Sequence, residues 1–217
     1  MNFEQLFDFL KRLQKNNHKE WMDLHRKEYH RVRDSFIAWL DSINQKLAAI
    51  DDDYFDTPGK KAINRINNNL MFFPNRPVYK DHFSAGLDQV SKQGDFYIEF
   101  GLQENFIGGG YWHPSSKFLK SIRDAIDYNG EELVAILNKK TFKNTFGEMI
   151  EADRLKKAPK GFALDHPHIE LLQMKTFAAG CHLSREEIMA PNFDQQVIEI
   201  YQALLPFRRY LNEAISV

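Results

Sequence analysis

The chain has almost no cysteine and no long apolar run. Cys181 is the single cysteine in 217 residues, so no internal disulfide can form and a reducing compartment is expected. No segment approaches the roughly 20 consecutive apolar residues that a membrane-spanning helix needs. Residues 1–5 have neither the basic nor the apolar region of a signal peptide. We therefore expect a soluble, cytoplasmic protein without a membrane partner.

An excess of charge of one sign is also lacking. The 29 basic and 30 acidic residues give a net charge of −1, which argues against the broad positive field of a nucleic-acid-binding protein. The sequence has no linker rich in glycine, serine or proline, and no internal repeat. We therefore expect one domain over residues 1–217, with two subdomains as the alternative. It should be helical over 1–50, form a sheet over 60–112 and be mainly helical over 113–217.

The first 50 residues predict helices. Apolar residues at helical spacing predict a short amphipathic helix: Phe3, Leu6, Phe7, Leu10 and Leu13. Asn17, with Glu20 three residues later, predicts the N-cap and capping box of a second helix. No glycine or proline interrupts residues 19–50, which would give a helix of ~48 Å. This helix either spans the domain or breaks once without a proline.

Residues 60–112 have the texture of an antiparallel sheet. Short segments rich in Ile, Phe, Tyr and Val are separated by turn-like residues near 92–95 and 103–105. They predict strands near residues 62–71, 78–87, 96–102 and 106–112. The apolar alternation is imperfect in the first segment. Residues 176–183 could form a fifth strand or continue a helix.

The C-terminal half predicts mainly helices. Gly108, Gly109 and Gly110 would end the sheet, and Pro114 would open a helix, with a further helix near residues 131–137. Asp165 would cap a short helix over 167–174. A capping box at Ser184 and Glu187 predicts the start of another helix. A last helix should run over 194–215, with a kink at Pro206. The class is α+β: N-terminal helices including one long helix, a small, mostly antiparallel sheet of four or five strands, and C-terminal helices.

The segment from residue 60 to 80 has five basic residues and no acidic one, namely Lys60, Lys61, Arg65, Arg76 and Lys80. Arginine grips carboxylate and phosphate in a bidentate way, so we expect Arg65, Arg76, Tyr79 and Lys80 to bind an anionic group. Alternatively, the lysines protect a solvated edge strand. Arg65 could also be neutralised structurally by Glu99.

Two further regions could contribute to a site. Gly109 and Gly110 precede a helix start, so their backbone could bind an anion. A tight strand-to-helix corner is the favoured explanation, since no phosphate-loop signature follows. His25, which shares a helix face with Trp21 and Tyr29, and His113 are weak candidates for proton transfer.

The sequence predicts no metal site and no cofactor. Metal-capable side chains cluster at residues 165–170, but His166 and His168 straddle a proline and lack the spacing of zinc ligands. Cys181 lies in an apolar segment that favours burial over reactivity.

With these residues identified, the chain resembles a widespread family of bacterial and fungal conserved hypothetical proteins, a domain of unknown function. The N-terminal marks of the resemblance are Phe9, Leu10, Leu13, Asn16, Asn17, Trp21, His25 and Tyr29. The central marks are Arg65, Ile66, Phe72, Tyr79, Lys80, Tyr97, Gly101 and the three glycines 108–110. The C-terminal marks are Pro159, Gly161, Asp165, His166, Pro167, Glu170, Leu171, Leu172, Lys175, Pro206, Leu211 and Asn212.

The central stretch departs from the pattern that the resemblance implies. The family pattern has arginine at two positions and aspartate at two where this chain has Asn68, Met71, Asn69 and Asn75. If the family site is a charged network there, this member has lost part of it. The resemblance implies no assigned activity.

Two hypotheses follow from the sequence. The first is a small-ligand site for a phosphate or carboxylate group, which leaves open whether the protein is an enzyme. The second is an interaction protein, a homodimer or a scaffold, that uses an aromatic surface formed by Phe72, Phe73, Tyr111 and Trp112.

Overall fold

A computed structural model describes residues 1–89 and 95–215 and shows an α+β protein. Four strands form one antiparallel sheet in the order β1-β2-β3-β4. Their bounds are β1 His82–Leu87, β2 Phe96–Gly101, β3 Asn105–Tyr111 and β4 Phe177–His182. The expected fold class is therefore confirmed, and the ambiguous run at 176–183 is a strand.

The N-terminal helices are α1 Phe3–Lys15, α2 Lys19–Leu24, α3 Arg26–Ala48 and α4 Gly59–Ala62. The long helical stretch breaks once, at His25, whose backbone angles of φ −104° and ψ 13° lie outside the helix region. No proline marks this break. The 23 residues of α3 still make a long helix of ~34 Å.

The later helices are α5 Ser116–Asn138, α6 Lys140–Phe146, α7 Ile169–Leu172, α8 Arg185–Met189 and α9 Phe193–Ile215. The capping box at Ser184 and Glu187 is confirmed. Helix α5 bends at Asn129, between the two helices that the sequence indicates, and α9 continues through Pro206. No helix in residues 1–89 and 95–215 is both long enough and apolar enough to cross a membrane.

Some local predictions are wrong. Residues 62–71 form no strand and pair only through isolated bridges, Ile63 with Ala85 and Asn67 with Tyr79. The asparagines there offer local hydrogen bonds that compete with a sheet ladder. The N-cap of α2 is His18, not Asn17, and the N-cap of α7 is His168, not Asp165. Most of the expected turn at 92–95 lies outside the described residues.

The chain divides into two units. The first comprises Met1–Gln89, Tyr97–Ile107 and His182–Ile198. Its core contains an aromatic cluster in which the Phe3 ring lies 5.4 Å from the rings of Trp39, Phe100 and Phe193, edge-on to each. Such edge-to-face pairs contribute about 0.5–1.5 kcal/mol each beyond their buried area. The cluster fixes the first turn of α1 against α3, β2 and the start of α9.

The second unit comprises mainly Gly108–Cys181 and the chain from Glu199 onward. Its core includes Phe142 and Phe207, whose rings lie 5.6 Å apart. Arg123 of α5 donates hydrogen bonds to the carbonyls of Leu172 at 2.8 Å and Met174 at 3.1 Å. Its burial lowers the pKa of the guanidinium. Arg123 thereby fixes α7 and the entry to β4 on α5.

Candidate functional site

The basic segment borders a cleft of about 300 Å³ in the first unit. The cleft lies between the last turn of α1, the segment leading into β1, and the turn between β2 and β3. Its walls are Gln14, Asn68, Arg76, Pro77, Tyr79, Lys80, Asp81, His82 and Gln103. The volume is at the small end of the range for ligand pockets, about 300–1,000 Å³.

The backbone of the cleft wall is held by Asn17. Backbone bonds on either side of Tyr79 join Asn68 N to Val78 O at 2.9 Å and Lys80 N to Ile66 O at 2.8 Å. The Tyr79 N–H and C=O are bonded instead to the Asn17 side chain, at 2.8 and 2.9 Å. One amide thus replaces a neighbouring strand, which explains why Asn17 is not the cap of α2.

A second side chain, three residues before Asn17 at the end of α1, extends this contact. The Gln14 amide donates to the Lys80 carbonyl at 2.9 Å and also accepts a hydrogen bond from Asn17 at 2.9 Å. Residues 79 and 80 are therefore anchored to the end of α1. The Lys80 side chain projects from a fixed backbone.

The cations of the segment influence one another. The pKa of Lys80 is lowered, chiefly by burial and further by Arg65 and Arg76, while Glu99 acts in the opposite direction. The Arg76 guanidinium lies 4.3 Å from the centre of the Phe73 ring, a cation–π contact. Arg76 and Lys80 line the cleft, and the exposed Arg65 lies close enough to affect Lys80.

Arg65 and Glu99 do not form the ion pair that the sequence left open. Within the described part of the chain, Arg65 forms no ion pair. Glu99 instead accepts a hydrogen bond from Tyr97 and lies 3.5 Å from His82 Nδ1. Glu99 is turned toward the start of β1, so the guanidinium of Arg65 remains in solvent.

His82 is the cleft residue that sequence reasoning missed. Its Nδ1 lies 3.1 Å from Asp81 Oδ1 and 3.5 Å from Glu99 Oε1, and its side chain is 22% exposed. A histidine held by a carboxylate at one ring nitrogen is the arrangement used to orient a proton-transfer group. The available signal was the adjacency of Lys80, Asp81 and His82 at a strand start, but Glu99 is brought in only by the sheet.

The other candidate histidines lie outside this cleft. His25 stacks on Trp21 with ring centres 3.9 Å apart, and its Nδ1 lies 2.8 Å from the Trp21 carbonyl oxygen. This contact stabilises the break between α2 and α3. His113 belongs to the second unit, is exposed, and has a positive φ of 46°. Its N–H donates to the Thr176 hydroxyl at 3.3 Å.

Gly109 and Gly110 lie within strand β3 rather than at a corner after it. Gly110 has a φ of 111°, and a Cβ there would collide with the Phe177 carbonyl oxygen. A Cβ at Gly109 would lie 2.7 Å from the Asp95 carbonyl oxygen. Both positions thus require glycine for close backbone packing. The following helix α5 has Ser115 as its N-cap, so Pro114 precedes the cap and does not open the helix as expected.

The aromatic residues of the interaction hypothesis divide into two sets. Phe72 and Phe73 of the first unit are 68% and 49% exposed, and Met71 beside them is 82% exposed. In the second unit Trp112 is 54% exposed, whereas Tyr111 is buried and donates from its hydroxyl to Asn212 at 2.8 Å. Tyr111 is therefore a core residue and not part of a surface.

Metal-capable side chains near 166–168 are engaged in pairs. His166 Nε2 lies 3.0 Å from Asp127 Oδ1, and His168 Nε2 lies 3.2 Å from Glu131 Oε1. Across residues 1–89 and 95–215, no group of three or more His, Cys, Asp or Glu residues is arranged to hold a metal ion.

Comparison with known proteins identifies a family. Residues 5–210 match the model of the family described as "Conserved hypothetical protein (DUF2461)". No curated protein and no solved structure matches the chain. The family match covers nearly the whole length, including every wall residue of the cleft. The chain therefore belongs to the DUF2461 family of conserved hypothetical proteins, a family of unknown function.

Proposed function

We propose that the cleft of the first unit binds a small molecule through a phosphate or carboxylate group. Lys80 and Arg76 supply the charge at the cleft wall, and Arg65 adds to the field from outside it. Asn17 and Gln14 hold the wall in place. The volume of about 300 Å³ suits a metabolite and is too small for a duplex or a folded domain.

The convergence of Arg76 and Lys80 on one cleft is the observation that carries this proposal, and the lowered pKa of Lys80 supports it. Burial and two neighbouring guanidinium groups disfavour the charged ammonium, and Glu99 only partly offsets them. A bound anion would supply the missing negative charge and raise the pKa of Lys80 toward its ordinary value.

His82 gives the cleft a group for chemistry as well as binding. Asp81 holds its Nδ1, which is the role of an orienting carboxylate toward a general acid or base. We assign the proton-transfer role to His82 in preference to His25 and His113, because His82 lines the same cleft as Lys80 and Arg76.

Thermal unfolding with an anion panel tests the proposal. Phosphate, citrate and ribose 5-phosphate, compared with sodium chloride at equal ionic strength, should raise the melting temperature of the wild type. Lys80→Met should abolish the effect but still fold, since removing a charge that the fold disfavours does not lower stability. Lys61→Met is the matched control, because Lys61 lies in the same basic segment but outside the cleft. Equal responses of the two variants would refute the assignment.

A second candidate function is self-association through the segment Leu70–Phe73. Four consecutive apolar residues are exposed there, and Phe73 presents one ring face to Arg76. Aromatic residues with arginine are enriched at protein interfaces. Sedimentation across protein concentration tests this. Phe72→Ser should shift a dimer to monomer without altering the response to phosphate, and a concentration-independent monomer would refute the idea.

A further inference from the structure

The second unit contains a cavity separate from the anion cleft. Its volume is about 450 Å³, well within the range of small-molecule pockets, about 300–1,000 Å³. It lies between the end of α5, helix α6, the segment 147–154 and helix α7. The apolar part of its wall includes Leu137, Phe142, Met149 and Met174.

The walls of this cavity are fixed before any ligand arrives. The segment 147–154 is bonded from its middle, by Ile150 N to Ala178 O at 2.8 Å, and from the residue that follows it, by Leu155 N to Gln173 O at 2.8 Å. A further bond joins Lys175 N to Asp153 O at 3.1 Å. A site preformed in this way requires little ordering of the chain when a ligand binds.

His168 forms one wall and is locked in position. Its side chain is 12% exposed, and its ring occupies the space that any side chain at residue 130 would need, since a Cβ on Gly130 would collide with it. The His168 N–H donates to His166 Nδ1 at 3.0 Å. Its Nε2 is shielded from solvent and lies 3.2 Å from Glu131, without the alignment of a hydrogen bond.

Charges of both signs surround the apolar wall. Lys143 and Arg154 are positive, and Glu148, Glu151 and Glu170 are negative. Arg154 and Glu151 already pair, with Nε and Oε1 3.0 Å apart. Lys143, Glu148 and Glu170 are exposed and form no ion pair within the described chain. An apolar pocket edged by free charges of opposite sign matches a ligand with the same pattern.

We propose that this cavity binds a small zwitterion with an apolar body, namely an α-amino acid or a dipeptide. The side chain of the ligand packs on Leu137, Phe142 and Met174. Its carboxylate pairs with Lys143, and its ammonium group pairs with Glu148 or Glu170. Each charged end of the ligand then faces an opposite charge at the edge of the cavity, and only the apolar body is removed from water. This site is independent of the anion cleft of the first unit.

Methionine methyl NMR on the full chain tests the proposal. The protein has six methionines, of which Met149 and Met174 line the cavity. The probes are L-leucine and Leu-Leu, compared with 4-methylpentanoate, isoamylamine and the uncharged N-acetyl-L-leucinamide. The zwitterions should shift the signals of Met149 and Met174 at lower concentration than the other three. The signals of Met22 and Met71, which lie in the first unit, should stay unchanged.

Two exposed variants complete the test without threatening the fold. Lys143→Met and the double substitution Glu148→Gln with Glu170→Gln should each weaken zwitterion binding about fivefold, which corresponds to the about 1 kcal/mol of an exposed charge pair. Lys140→Met on the same helix is the matched control, because it lies outside the cavity wall. Equal binding of the uncharged amide, or no shift of Met149 and Met174 with any zwitterion, would overturn the proposal.

Discussion

Replacing Asn17 with alanine should destabilise the protein far more than its partly exposed position suggests. The change removes the hydrogen bonds that the side chain makes with Tyr79 N and Tyr79 O, and a third with Gln14. The backbone of Tyr79, a residue only 5% exposed, would keep one donor and one acceptor without protein partners. At about 1–3 kcal/mol for each unsatisfied buried group, partly relieved by entering water, the free energy of unfolding should fall by about 2–4 kcal/mol.

Urea unfolding and thermal melting measure this loss. For a chain of this size, about 2–4 kcal/mol corresponds to a melting temperature lowered by roughly 6–12 °C. Asn16→Ala is the control, because the neighbouring side chain makes one exposed bond to the Arg12 carbonyl and should cost below about 1 kcal/mol. Asn17→Asp should fall between the two, since a carboxylate still accepts from Tyr79 N but cannot donate to Tyr79 O. Equal losses for Asn16→Ala and Asn17→Ala would refute the view that Asn17 substitutes for a strand.

Three other predictions follow from the backbone and the charges. Gly110→Ala should cost more than about 3 kcal/mol in urea unfolding, because strain at φ 111° adds to a collision, whereas Gly161→Ala, at φ 98° in open space, should cost only about 1 kcal/mol. Burial, with Glu131 and Glu132 adding to it, raises the pKa of Tyr210 to about 12. The stability that Tyr210 contributes should therefore be lost as the pH rises from about 10 to about 12, and Tyr210→Phe should flatten that part of the pH–stability curve. Burial opposes ionisation of Asp194, but bonds from Lys46 and Trp39 prevail and lower its pKa, so its contribution should be lost in acid. Asp194→Asn should remove this acid dependence, as followed by Trp39 fluorescence.

Local signals in the sequence predicted elements whose cause is itself local. Ser184 and Glu187 satisfy each other's backbone within one turn, and the capping box is formed as expected. The strands at 96–101 and 105–111 were also predicted within a residue or two, since their aromatic and branched side chains suit a pleated surface. The α+β class followed from the order of these segments.

Predictions failed where a partner distant in sequence determines the structure. Asn17 has the side chain of a cap, but Tyr79, 62 residues later, takes its amide. The basic segment was located correctly as a region of charge. His82 was not predicted as a neighbour of this segment's cations, because it meets Glu99 only through β2, and Gln14 joins the cleft wall only through the end of α1. No spacing rule within a single segment carries that information.

The ring of Phe3 has a consequence for how the protein is made. Its partner Phe193 is synthesised 190 residues later, so the apolar face of the first helix lacks part of its binding surface until residue 193 has been synthesised. Contacts between residues so far apart in sequence slow folding. Until then the nascent chain exposes the apolar face of α1, which promotes aggregation. Truncation just before Phe193 should therefore yield an aggregating product even though every residue of that helix is intact.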